Sequence, residues 1–168
     1  MRKHILSCIA AAAAMLVCLP LLALAMSGAP AQEASPPTDG AGLWQYLNST
    51  SPYWKWDMWP GKGKFYPGTA PHGALLTTYV NKAAYDGIKA RTGVLPYGSI
   101  IVKENYKPDK KPAAVTVMYK VKGYNPDGGD WFWVKYDPHG VVLAQGKVPM
   151  CISCHDKRND YVMTAPLK

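Results

Sequence analysis

The sequence predicts an α+β protein: mainly an antiparallel β-sheet of about four or five strands, with a few short helices. Three observations carry that expectation. Apolar and polar residues alternate along residues 114–124, where Val115, Val117, Tyr119 and Val121 interleave with Thr116, Met118, Lys120 and Lys122. Tight-turn sequences punctuate the second half: NPDGGD at 125–130, with Gly128 and Gly129 available for positive φ, and DPHG at 137–140. Finally, the long amphipathic helices that a helical bundle needs do not occur in the pattern.

The elements follow in order. Arg2, Lys3 and His4 precede an almost wholly apolar stretch at 5–25, and small-residue cleavage patterns end at Ala25 and Ala31. Residues 1–31 are therefore expected to be a secretory signal peptide, cleaved after Ala31. An uncleaved anchor is the alternative, since the stretch is nearly long enough to span a bilayer. Lipidation at Cys18 is disfavoured, because Val17 stands where a small residue is needed. Residues 32–41 (QEASPPTDGA) read as a flexible leader. Residues 42–168 are expected to form one domain. Leu43, Tyr46 and Leu47 share a face of a short first helix. Residues 51–66 are dense in aromatics, which fit either a core or the wall of a large apolar cleft. A strand is expected at 74–80, then a helix from the Asn81 cap to about Arg91. Strands follow at 99–106, 114–124, 131–136 and 141–145, and a short terminal one at 160–163.

Chemistry concentrates at Cys151-Ile152-Ser153-Cys154-His155. C-x-x-C-H is the c-type haem attachment pattern. Each thiol adds to one vinyl group of the macrocycle, and the histidine binds the iron. A zinc site or a thioredoxin-like pair are the rivals. Cys8 and Cys18 leave with the signal peptide, so these two cysteines are the only ones expected in the mature chain. Only His72 and His139 remain as other histidines after position 31, too few for a four-ligand zinc site. The expected cofactor is one haem c, covalent through Cys151 and Cys154, with His155 as metal ligand, in an exported protein. The domain is then expected to pack this haem on its sheet. The chain carries 19 basic and 11 acidic residues, a net +8, which falls to +6 when Arg2 and Lys3 are removed. Lysines scattered along the chain argue against nucleic acid and suit a soluble, acidic redox partner. No membrane span is expected after cleavage.

The haem motif comes late, with only 13 residues after His155. Met163 in that tail leaves from the proximal side. Met118, on the polar face of its strand, is the better methionine candidate for sixth ligand. Without it the iron is five-coordinate or weakly ligated, which suits binding or transforming a small molecule.

TTYVN (77–81), LPYGSIIVKENY (95–106), GDWFWVKYDPHG (129–140), CISCH and DYVMT (160–164) together resemble the cytochrome P-460 family, including its c-prime-beta members. The resemblance spans roughly 44–163. It implies an antiparallel β fold, a homodimer, a periplasmic setting and a high-spin haem. Catalytic members oxidise hydroxylamine, to nitrous oxide or NO-related products, and c-prime-beta members bind NO and CO. It also implies a role for Lys103, which matches the lysine joined to the porphyrin edge in catalytic members. Alternation places Lys103 on a face with Ile101 and Asn105, and the bland alternative is a strand lysine paired with Glu104. The chain departs from the family in one respect: residues 113–122 contain no Asp or Glu, where catalytic members carry a pocket carboxylate. His72 is the candidate to fill that gap as proton relay, distal donor or sixth ligand; a loop histidine bonded to backbone is the alternative. Arg158 is a candidate partner for a haem propionate. His139 is expected at the surface, and Trp131 and Trp133 in the core or against haem. Three functions remain open: oxidation of hydroxylamine or NO with Lys103 and His72 as catalytic residues, NO/CO binding without turnover, and electron carriage.

Overall fold

A computed structural model describes residues 35–164 and Leu167. The expected signal peptide and the first residues of the leader lie outside these. Asp39 caps helix α1 (Gly40–Gln45), its side chain accepting from Gly42 N–H. Gly40 and Ala41, expected in the leader, are thus already helical. A π-helical turn (Tyr46–Thr50) and a 3₁₀ turn (Tyr53–Lys55) follow. Strands β1 (Asp57–Met58) and β2 (Tyr66–Pro67) come from the aromatic stretch. Then come β3 (Leu75–Val80), α2 (Lys82–Ala90), β4 (Ile100–Tyr106), β5 (Pro112–Lys120), β6 (Trp131–Tyr136), β7 (Val142–Gly146) and α3 (Pro149–His155).

The seven strands among the described residues join one sheet in the order β1-β3-β4-β5-β6-β7, with β2 also on β3. Every pairing is antiparallel. The five long strands are those the alternation marks. The two extra strands are two residues each and carry no periodicity to detect. The short strand expected at 160–163 is not formed. A 3₁₀ turn (Asn159–Tyr161) stands there instead, with Asp160 and Tyr161 at φ 52° and 61°, which no strand tolerates.

Asn81 caps α2 and also ties it to the sheet. Its Oδ1 accepts from Ala84 N–H at 3.1 Å and Ile100 N–H at 2.9 Å, and its Nδ2 donates to the Gly98 carbonyl. The helix ends on Arg91 in left-handed conformation.

The sheet is buried on both faces. One face packs Ile100, Val102, Val117, Tyr119, Phe132 and Val134 under Leu43 and Leu47 of the first helical segment. Leu43 and Leu47 are fully buried, and each contributes roughly 1.5–3 kcal/mol of apolar burial. The other face carries Ile101, Met118, Trp131 and Trp133 beneath α3 and Val162. The face of β5 that the alternation marked as polar is therefore covered too, with Met118 8% and Lys120 4% exposed. Alternation reports only side-chain polarity; the covering segment arrives from beyond residue 148.

Candidate functional site

Helix α3 presents the motif. Pro149 occupies its first turn, where a missing N–H costs nothing. Cys151 and Cys154 lie three residues apart on a helix, hence on neighbouring positions of one face. Both are free thiols, and with His155 they line a cavity of about 330 Å³. Burial pushes the Cys151 thiol up from its ordinary value.

His155 is 7% exposed. Its Nδ1 lies 2.7 Å from the Tyr161 carbonyl. A carbonyl only accepts, so Nδ1 carries the proton and Nε2 of the neutral ring keeps its lone pair. Burial holds its pKa below the usual histidine value, against the opposing effect of the Tyr161 bond. The Trp133 ring stands edge-on to the imidazole, centroids 4.8 Å apart.

The facing wall comes from β4, β5 and the loop before β3. His72, Lys103, Asn105, Thr116 and Met118 all line the cavity. Asn105 organises this wall. Its Nδ2 donates to the Lys103 carbonyl at 2.9 Å and lies within bonding distance of the Ala114 carbonyl and Thr116 Oγ1. Its Oδ1 therefore faces Gly73 N–H and His72 Nδ1, the latter at 2.9 Å. Gly73 N–H can only donate, so the amide has one consistent orientation, and His72 Nδ1 must carry a proton. His72 Nε2 then holds a bare lone pair. Burial first, and the Lys103 charge second, push the His72 pKa down to about 4. Burial alone lowers the Lys103 ammonium to about 8. The His72 and His155 ring centroids are 6.2 Å apart at 78°.

Lys103 does not pair with Glu104. Neighbouring strand residues point to opposite faces. Glu104 lies across the sheet, where it accepts from Tyr53 Oη at 3.0 Å and Tyr106 Oη at 2.5 Å. The structure thus brings together Cys151, Cys154, His155, His72 and Lys103. Arg158 is exposed and lies outside the cavity lining. His139 is exposed, as expected. Met118 and Met163 both line the cavity. The aromatics of residues 51–66 do not, and Tyr53 and Trp59 serve the two cores instead. No carboxylate lines the cavity among the described residues.

Asn105 and Lys135 are lining residues that sequence reasoning left without a role. Asn105 had one available signal, its place on the Lys103 face.

The cavity fits a large, mostly apolar group bearing a metal and an acceptor. Its walls include Ile101, Met118, Trp133 and Val162. The Trp133 indole N–H is one of two buried side-chain polar atoms without a partner among the described residues, and such a donor calls for an acceptor from the bound group. Two thiols, a bare imidazole nitrogen and an apolar cleft on an antiparallel sheet are the donors and the space that a c-type haem would need. The family model for cytochrome P460 matches residues 53–164, and the chain belongs to that family. Membership implies a haem c cofactor and its iron. No curated protein matches the chain.

Proposed function

We propose that this chain is an exported, periplasmic mono-haem cytochrome that oxidises a small nitrogen species, hydroxylamine or NO, at an open or weakly ligated iron. Cys151 and Cys154 would hold the haem covalently, and His155 would ligate it through Nε2. The haem supplies the redox chemistry and the open coordination position. The chain supplies the proton handling. Oxidising hydroxylamine releases protons, and, with His155 on the iron, His72 is the neutral imidazole left at the cavity among the described residues. The observation that carries this reading is the Asn105–His72 bond, which forces the His72 lone pair onto Nε2. Among the described residues no carboxylate lines the cavity, which favours His72 for that task. Lys103, its pKa lowered by burial, would stand beside the macrocycle as an amine that gives up its proton more readily than an exposed lysine. Electrons would leave to a soluble partner, and a homodimer is the expected assembly.

A second reading has its own observation. Two imidazoles sharing one iron, with metal–nitrogen bonds of about 2 Å, place their ring centroids roughly 6 Å apart. The 6.2 Å spacing of His72 and His155 suits that arrangement. His72 would then be a sixth ligand and the protein an electron carrier.

Absorption spectra of the haem-loaded protein, with masses of its haem peptides and hydroxylamine turnover, test both. A high-spin spectrum with turnover that falls at least tenfold in His72→Ala supports the oxidase. A low-spin bis-imidazole spectrum overturns it in favour of the carrier. High-spin haem that binds NO without any turnover leaves the c-prime-beta type of activity.

A further inference from the structure

Behind His155 lies an arrangement that the proposed chemistry does not use. Asp160 and Tyr161 are consecutive non-glycine residues in left-handed backbone. Each such residue costs on the order of 1–3 kcal/mol and persists only where its surroundings hold it. Four contacts hold these two. The Asp160 carboxylate, 3% exposed, pairs with the Lys120 ammonium, whose side chain is 5% exposed. Its other oxygen accepts from Leu95 N–H at 2.7 Å. The Asp160 carbonyl accepts from the Trp131 indole at 2.9 Å. The Tyr161 hydroxyl donates to the Asp127 carbonyl at 2.9 Å. The group these contacts aim is the Tyr161 carbonyl, the acceptor for His155 Nδ1.

A buried ion pair is weak evidence for stability by itself, since an apolar replacement is often as stable. Its place here gives it another role. We propose that Asp160, held by Lys120, is the positioning residue for the axial imidazole: the ion pair offsets the strain of the left-handed turn and so keeps the Tyr161 carbonyl on His155 Nδ1. The proposal rests on the reading of His155 as the haem ligand. A firm Nδ1–H···O=C bond fixes the rotation of the ring and strengthens Nε2 as a donor. Stronger donation stabilises the ferric state and lowers the reduction potential. Neither Lys120 nor Asp160 lines the cavity, so neither touches what binds there.

The test uses the haem-loaded chain. In Asp160→Asn, which tolerates the same backbone, the iron–histidine stretch in resonance Raman spectra should move to lower frequency. The midpoint potential should rise. Asp160→Gly removes the carboxylate and the strain at that position together and keeps the Tyr161 hydroxyl on the Asp127 carbonyl, so it should shift both signals less than Asp160→Asn does. Should Asp160→Asn fail to accumulate, Lys120→Gln/Asp160→Asn replaces it, because that pair leaves no orphaned buried charge; the same shifts are expected. A haem-loaded variant with wild-type stretch and potential overturns the proposal. So do shifts in Asp160→Gly as large as those in Asp160→Asn. A wild-type chain whose mass shows no haem on Cys151 and Cys154 instead sinks the haem reading, a failure distinguished by that mass alone.

Discussion

Lys103 shows how one strand position acquires chemistry. Its strand sends it into an apolar cleft while its neighbour Glu104 serves two tyrosines on the far face. Burial lowers its pKa from 10.5 to about 8. In the haem-free chain, acetylation of Lys103 should therefore follow a midpoint near pH 8, while exposed lysines titrate near their ordinary value; peptide mass mapping against pH reads this. The folded pKa lies below the unfolded one. Between about pH 8 and 10.5 the unfolded chain keeps a proton on this group that the folded chain has lost, so the Lys103 contribution to stability rises across that window. Lys103→Met should abolish that rise and leave stability at neutral pH unchanged or higher. The difference between the urea midpoints of the wild type and the variant, compared at pH 7 and at pH 10, decides it.

At the scale of elements, the site depends on a loop lying flat against a strand. A Cβ on Gly73 would stand 2.4 Å from the Tyr106 backbone nitrogen and 2.5 Å from its oxygen. Neither atom can move without disturbing β4. Gly73→Ala should cost on the order of 1–3 kcal/mol, read as a lowered denaturant midpoint. It should also separate His72 from Asn105, so the His72 imidazole resonances should lose their hydrogen-bonded signature. If the variant keeps both wild-type stability and that signature, the loop is not clamped as described. Helix α3 is positioned differently, by apolar packing of Cys151 and Ile152 against the Trp131–Trp133 cluster.

For the whole molecule, two-sided burial separates roles. One face of the sheet is closed by the first helical segment and is core only. The other face closes over the cavity, so the same sheet supplies both stability and site. The net charge is +8 over the full sequence and +6 without Arg2 and Lys3. That field should steer anions. Electron exchange with hexacyanoferrate should slow as ionic strength rises from 0.01 to 0.15 M, where the Debye length falls from about 30 to about 8 Å. A cationic cobalt ammine should show the reverse trend. Stopped-flow rates that ignore salt would show that the charge is spread too evenly to steer.

The sequence by itself determined the attachment pattern, the five long strands, the helix cap at Asn81 and the face shared by Ile101, Lys103 and Asn105. These depend on neighbours within a few residues, or on a period of two along one strand. It also marked where a carboxylate is missing. Only the tertiary structure decided what the opposite wall contains and how each imidazole is held. His72 meets Asn105 across 33 positions, and Lys120 meets Asp160 across 40. Such pairings follow from strand register and from where the last segment folds back, and no local pattern encodes them. The same holds for the left-handed turn at Asp160–Tyr161: its residues read as a strand until the buried partners that hold them are in place.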